Sequence, residues 1–222
     1  MHDLIIPARI IYSKMERARY ISHLDTMRTL TRALRRSGLP LWYTQGFNPH
    51  LYLRFLLPLA LGVESLCEIV DLRLTENMDW YTLKQRISDH LPPGFEIKSA
   101  GAPILPATAI AWAEYELELV FPSSECAAMT LAMKNLFEQP AIMARKKTKK
   151  GEQTIDIRPH AALLDIFATE NSFCCNVRLA AGTSLNIAPK TLLEAFSTST
   201  RQPEAVRIMR TKVLDGDLKN FN

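Results

Sequence analysis

Residues 20–40 read Tyr20-Ile21-Ser22-His23-Leu24-Asp25-Thr26-Met27-Arg28-Thr29-Leu30-Thr31-Arg32-Ala33-Leu34-Arg35-Arg36-Ser37-Gly38-Leu39-Pro40. Ser22 is a good helix N-cap, and Asp25 three positions on makes a variant of the capping box. Gly38 followed by Pro40 stops the helix. Leu24, Met27, Leu30 and Leu34 fall on one face at helical spacing. Arg28, Arg32, Arg35 and Arg36 fall on a neighbouring stripe. Before the helix, Arg9–Lys14 reads as a strand rich in β-branched and aromatic residues. After it come two apolar segments, Leu39–Thr44 and Leu51–Leu57, interrupted by the loop Gln45-Gly46-Phe47-Asn48-Pro49-His50. There Gly46 suits a backbone angle other residues resist, and Asn48-Pro49 marks a turn. Cys67–Leu74 alternates as a half-buried strand, Trp80–Leu91 reads as a helix ended by Pro92-Pro93-Gly94, and Phe95–Ala100 as a strand.

This order, strand-helix-strand-strand-helix-strand, is that of a ferredoxin-like domain. Gly101–Thr108 reads as a linker, and the pattern then recurs. Trp112–Phe121 alternates as a strand, Ser123–Phe137 reads as a helix, and Ala141–Ile157 as a hairpin with a basic tip. Leu164–Thr169 and Phe173–Ala180 read as strands, Pro189–Phe196 as a short helix and Val206–Val213 as a last strand. The expected fold class is therefore α+β, with two ferredoxin-like (βαββαβ) halves in tandem over residues 1–104 and 109–222.

The 222 residues carry a net charge of only +4, but the charge is unevenly spread. Arg9 to Arg36 holds +6 and Arg145 to Arg158 holds +4, so the remaining chain carries −6. A solvated helix face gains from mixed signs at i,i+4, whereas Arg28, Arg32 and Arg36 repel along one stripe. A phosphate backbone relieves such repulsion. The expected RNA-binding residues are Arg28, Arg32, Arg35, Arg36, Tyr43, Phe47, Asn48, Lys146, Lys147, Lys149, Lys150 and Arg158. Of the aromatics that could stack bases (Tyr12, Tyr20, Trp42, Tyr43, Phe47, Tyr52), Tyr43 and Phe47 are those expected to be exposed.

The candidate catalytic groups are His23, Asp25 and His50. Two histidines and a carboxylate suit general acid–base cleavage of RNA without metal. The competing reading is structural: His23 buried and hydrogen-bonded, His50 ordering its loop, Asp25 capping the helix and pairing with Arg28. Two histidines and one acid are too few for a metal site, and no cofactor is expected, since neither G-x-x-x-x-G-K-[ST] nor G-x-G-x-x-G occurs. Cys67, Cys126, Cys174 and Cys175 form no C-x-x-C pair and read as buried thiols of a reducing compartment. With no apolar run of about 20 residues and no leader at Met1-His2-Asp3-Leu4, the expected location is cytoplasmic, with no membrane partner.

The run from Tyr20 to Asp25, Arg32 to Pro40, Gly46-Phe47-Asn48-Pro49-His50, Pro58 to Ser65 with Glu68, Lys147 to Gly151 and Asp156-Ile157-Arg158-Pro159 resembles the bacterial radical SAM-associated (radical SAM-linked) protein family, which has no established function. The resemblance covers most of the chain. Such domains are fused behind, or encoded beside, cobalamin-binding-type radical SAM proteins. Because no C-x-x-x-C-x-x-C run occurs, the resemblance implies a radical SAM protein acting in trans. The expected function is thus a non-catalytic RNA-binding accessory protein in tRNA or rRNA modification. The alternatives are the ribonuclease built on His23 and His50, and a module docking on a radical SAM partner without RNA.

Overall fold

Inward-facing Ala8, Ile10 and Tyr12 alternate with Arg9 and Ile11 along β1 (Ile6–Lys14), so one face of this strand must be covered by apolar groups. The cover comes from α1 (His23–Arg36) and α2 (Trp80–Ser88), whose Leu30, Leu34, Leu83 and Ile87 join that core. The computed structural model describes residues 4–148 and 151–221, in an α+β fold with four α-helices among those residues. The chain divides into two compact units, Met1–Ala107 and Thr108–Phe221. No described helix is long and apolar enough to cross a membrane.

In the first unit β2 (Leu53–Phe55) and β1 both pair antiparallel with β3 (Glu64–Leu74), and β4 (Phe95–Gly101) pairs antiparallel with β1. The resulting order is β4-β1-β3-β2. The register sets Ile10 opposite Val70 and Ala8 opposite Leu72 on the core side. On the other face Arg9 grips its opposite number Asp71 with two hydrogen bonds, 2.7 and 3.1 Å.

The second unit runs β5 (Ile110–Val120), α3 (Ser123–Glu138), β6 (Met143–Thr148), β7 (Gly151–Asp156), β8 (Ala161–Ala168), β9 (Ser172–Ala180), α4 (Pro189–Ser199) and β10 (Ala205–Asp215). β6 and β7 pair only with each other, as a hairpin between α3 and β8. The other strands are antiparallel in the order β10-β5-β9-β8. With the hairpin set aside, both units share one element order and one strand order. Phe121 stacks on Phe173 at 5.8 Å, and Phe196 of α4 meets Phe173 edge-on at 6.3 Å, tying helix to sheet.

Three sequence expectations need correction. Leu24 is exposed, and Thr26 occupies the buried position instead. At 3.6 residues per turn Leu24 lies about 120° round the helix from Leu30, whereas Thr26 lies one turn before it. The Thr26 hydroxyl is satisfied by donating to the Ser22 carbonyl at 3.0 Å. Of the two apolar segments after α1, only Leu53–Phe55 joins the sheet; Leu41 and Tyr43 make isolated bridges to Leu74 and Leu51. Finally, Cys67 and Cys174 are only half-buried, though all four thiols are free. Burial pushes the Cys175 thiol up to about 12, and burial with nearby Glu118 and Glu116 raises Cys174, so neither is a ready nucleophile.

On β5, Ala113, Tyr115, Leu117 and Leu119 face the core and Glu114 faces the other way. Burial raises the Glu114 pKa, but hydrogen bonds and charge from Lys212 (2.9 Å) and Arg178 (2.8 Å) outweigh it, and the net shift is downward. A carboxylate depressed in the fold contributes stability above its unfolded pKa and loses it as pH falls through the folded one. Glu114→Gln is therefore expected to cost about 1–3 kcal/mol at neutral pH, with the gap to wild type closing on acidification below the ordinary glutamate range. Thermal melts of both proteins across that range check it; a gap that stays constant with pH would contradict the assignment.

Candidate nucleic-acid interface

The Ser22 hydroxyl opens α1 by accepting from the Asp25 backbone N–H at 3.1 Å while donating to the Asp25 carboxylate at 2.7 Å. Asp25 in turn accepts from Arg28 at 3.1 Å. These two bonds, Ser22 first and Arg28 second, hold its carboxyl below the usual aspartate range. Asp25 thus completes the Ser22 cap from three positions on and pairs with Arg28. Arg28, Arg32, Arg35 and Arg36 are all exposed. Arg36 donates to the His90 carbonyl at 2.9 Å. Arg32 and Arg35 make no hydrogen bond or ion pair among the described residues. One helix face therefore carries four guanidinium groups against a single carboxylate.

Of the four basic residues before α1, Arg17 is exposed, whereas Arg9, Lys14 and Arg19 are engaged within the fold. Arg9 is held by Asp71, and Lys14 is buried with its ammonium donating to the Ile21 carbonyl at 2.9 Å. Burial lowers the Lys14 pKa, opposed by the charge of Glu68. Arg19 lies 3.6 Å from the Glu64 carboxylate. The segment's excess of positive charge is thus partly neutralised inside the fold, and its exposed remainder is Arg17 and the four arginines of α1.

The loop 44–50 is tied at its neck. The Thr44 N–H donates to the His50 carbonyl at 2.8 Å, and the His50 N–H donates to the Thr44 hydroxyl at 3.1 Å. The His50 Nδ1 lies 3.0 Å from that hydroxyl and 3.1 Å from the Asn48 carbonyl. Gly46 has φ of 123°, the conformation expected of it. The closed neck presents Phe47 wholly to solvent (111 % relative exposure) and leaves Asn48 exposed and Tyr43 at 37 %. His50 orders this loop. His23 is half-buried with its ring edge-on to Phe55 at 5.1 Å. The two imidazoles therefore have separate partners, and among the described residues no group of three acids, histidines or cysteines could hold a metal ion.

In the second unit Arg145 is exposed on β6, and Lys146 and Lys147 lie in the same strand, opposite Gln153 and Glu152. Lys149 and Lys150 lie outside the described residues. Asp156 accepts from the Ile142 and Arg158 backbone N–H groups at 2.8 and 2.9 Å, which holds its carboxyl low and fixes the hairpin base. Arg158 is half-buried, and its Nη1 reaches the Ala161 carbonyl only at 3.4 Å.

Sequence reasoning missed one aromatic cluster. Arg73 of β3 lies over the rings of Trp42 (5.0 Å) and Tyr52 (4.2 Å), which meet each other at 6.0 Å. Trp42 and Tyr52 flank the loop, each five residues from Phe47, and that symmetry is the signal in the sequence that they meet.

Residues 8–189 match a family model described as an uncharacterized protein conserved in bacteria (DUF2344). No curated protein matches the chain. A chain in a crystal structure of a Cbf5-Nop10-Gar1 complex is similar over 96% of this chain and 50% of its own length, with 12% identity and a TM-score of 0.50. This chain thus spans about half of that one, and the likeness concerns fold alone. An unknown protein from Galdieria sulphuraria aligns with 15% identity over 93% of this chain and 99% of its own, at a TM-score of 0.28, too low to carry an argument.

The loop neck makes a local prediction. Thr44→Val removes the hydroxyl shared by the His50 N–H and ring. Amide hydrogen exchange is expected to quicken at residues 44–50 and stay unchanged in β1 and β3. Unchanged exchange in the loop would show that Thr44 and His50 do not hold it.

Proposed function

This chain belongs to the uncharacterised bacterial family whose model it matches, and from that premise we propose that it is an RNA-binding accessory protein working with a radical SAM enzyme in tRNA or rRNA modification. The observation that carries the reading is the exposed face of α1, where Arg28, Arg32, Arg35 and Arg36 oppose only Asp25. Aligned guanidinium groups on a rigid helix suit a row of phosphates, and Phe47, held out by a closed loop, suits stacking on an unpaired base. The basic hairpin β6–β7 adds a second source of positive charge. The radical SAM partner is supported by the sequence resemblance. Each unit is read as a ferredoxin-like domain on the strength of its β-α-β-β-α-β order and its strand arrangement, the second with a hairpin inserted after its first helix.

An accessory role is preferred over ribonuclease activity because the candidate groups already have other work: the Asp25 carboxylate accepts from the Ser22 cap and from Arg28, His50 closes its loop and His23 packs on Phe55.

Gel-shift titration of total RNA at two salt concentrations tests the proposal. Binding is expected to weaken with salt, and Arg32→Gln and Arg35→Gln are each expected to reduce the slope of log affinity against log salt by about one. The RNA is expected to remain intact after prolonged incubation. Absence of binding at the lower salt would end the reading. Cleavage lost in His23→Ala would replace it with the ribonuclease, and nuclease-resistant co-purification with a radical SAM protein, without RNA affinity, would replace it with protein docking.

A further inference from the structure

The face of the second unit's sheet turned away from Leu117 and Val177 carries Trp112 and Glu114 on β5 and Arg178 on β9. The register fixes their neighbours: Trp112 is opposite Ala180, Glu114 is opposite Arg178, and Ala162 of β8 lies on the far side of Arg178. At the end of this face is a cavity of about 430 Å³, lined by Trp112, Arg158, Arg178, Ala162, Pro159 and Leu218. That volume lies within the range of small-molecule sites.

Its chemistry is specific. Arg158 Nε is buried and has no hydrogen-bond partner. A buried guanidinium donor left unmet is costly, and the group's one side-chain hydrogen bond among the described residues, 3.4 Å to the Ala161 carbonyl, is long. Arg178 is anchored by Glu114 at 2.8 and 3.1 Å, but Glu114 also serves Lys212 at 2.9 Å. Two cations thus share one carboxylate, and the cavity itself is lined by two arginines and no acid, with the Asp156 carboxylate close to Arg158. Trp112 and Leu218 add an aromatic plane and an apolar wall. Forked cations beside an indole match a ligand with an anionic end and a flat aromatic end.

We propose that this cavity binds a nucleoside monophosphate unit, with its phosphate on Arg158 and Arg178 and its base against Trp112. The unit is a free nucleotide or one residue of a single-stranded RNA. The proposal rests on the RNA-binding reading only for that second source. Arg158 belongs to the Asp156-Ile157-Arg158-Pro159 stretch, and its backbone is fixed by the bond from its N–H to Asp156. The guanidinium therefore projects from a backbone position that Asp156 holds.

Trp42 and Trp80 are the other tryptophans of the chain, so a Trp42→Phe, Trp80→Phe protein reports on Trp112 alone. Titration with AMP is expected to quench Trp112 fluorescence saturably, and adenosine and ribose 5-phosphate are each expected to bind more weakly than AMP. Arg158→Gln is expected to weaken AMP by about tenfold or more. Ala162→Leu, which fills the cavity and keeps every charge, is expected to abolish binding; calorimetry on the otherwise unmodified chain reads it without the tryptophan replacements. Displacement of AMP by a hexa-adenylate strand places the nucleotide in RNA, and failure to displace it assigns a free nucleotide. No AMP binding at millimolar concentration, or equal binding by both variants, would overturn the proposal. RNA binding that persists without AMP binding removes this pocket alone, and AMP binding without RNA binding removes the earlier reading alone.

Discussion

Leu30 and Leu34 are fully buried against the first sheet, and this contact sets the rotation of α1 about its axis. Everything exposed on the helix follows from it. Burying two leucines contributes about 1.5–3 kcal/mol each, whereas like-charge neighbours at i,i+4 on an exposed face cost only a few tenths of a kcal/mol. The packing term wins easily, so four arginines are held on one side of the helix despite their mutual repulsion. The Ser22 and Asp25 cap fixes where the first turn begins. Gly38, at φ of 63°, fixes where the last one ends, and between them the stripe has no freedom to turn inward.

The same strand alternation that organises the core also sorts the charges. Arg9 lies on the face of β1 opposite Ile10, where its cross-strand neighbour is Asp71, so pairing is imposed by register. Lys14 falls on the core side with Tyr12 and is drawn into a carbonyl contact. In the second unit Glu114 faces Arg178 for the same reason. Counting charges along a chain cannot separate these cations from those of α1. The count treats a cation in a strand and a cation on a helix alike, whereas the sheet supplies a cross-strand partner and the helix surface does not.

Much of the fold was legible because its signals are local. The Ser22 cap, Gly38, the loop around Gly46 and the alternation of β5 each depend on residues a few positions apart. The departures are long-range. The i,i+3 spacing of Leu24, Met27 and Leu30 points Leu24 inward, but the sheet beneath α1 takes Thr26, because the azimuth is set by Leu30 and Leu34. Leu39–Thr44 looks like a strand and makes only single bridges, because the chain is diverted into the Thr44–His50 neck before a ladder can form. The grouping of Trp112 on β5, Arg178 on β9 and Arg158 in the turn before β8 joins distant parts of the sequence and has no short-range trace. Arg158 was expected at the interface for its charge, while its unmet Nε became visible only through its surroundings.

Two non-glycine residues among those described take positive φ, Glu16 at 54° and Leu218 at 63°. A left-handed residue with a Cβ costs about 1–2 kcal/mol, so each must be held by something stronger. Glu16 is held by its N–H on the Glu64 carboxylate at 2.7 Å. Leu218 is held by the turn around Asp215, whose carboxylate accepts from the Asp217 and Lys219 N–H groups at 2.9 Å each, while its own N–H donates to the Lys219 carbonyl at 3.0 Å. Gly216 stands two residues away, where its freedom of φ does not relieve position 218. The turn thus accepts a strained leucine and keeps its side chain 46 % exposed at the wall of the Trp112 cavity. Burial in the unit's own core cannot account for a side chain left so open. A base seated there would meet the leucine's apolar side, so the Asp215 turn, which holds position 218 by its own hydrogen bonds, sets one wall of the proposed site.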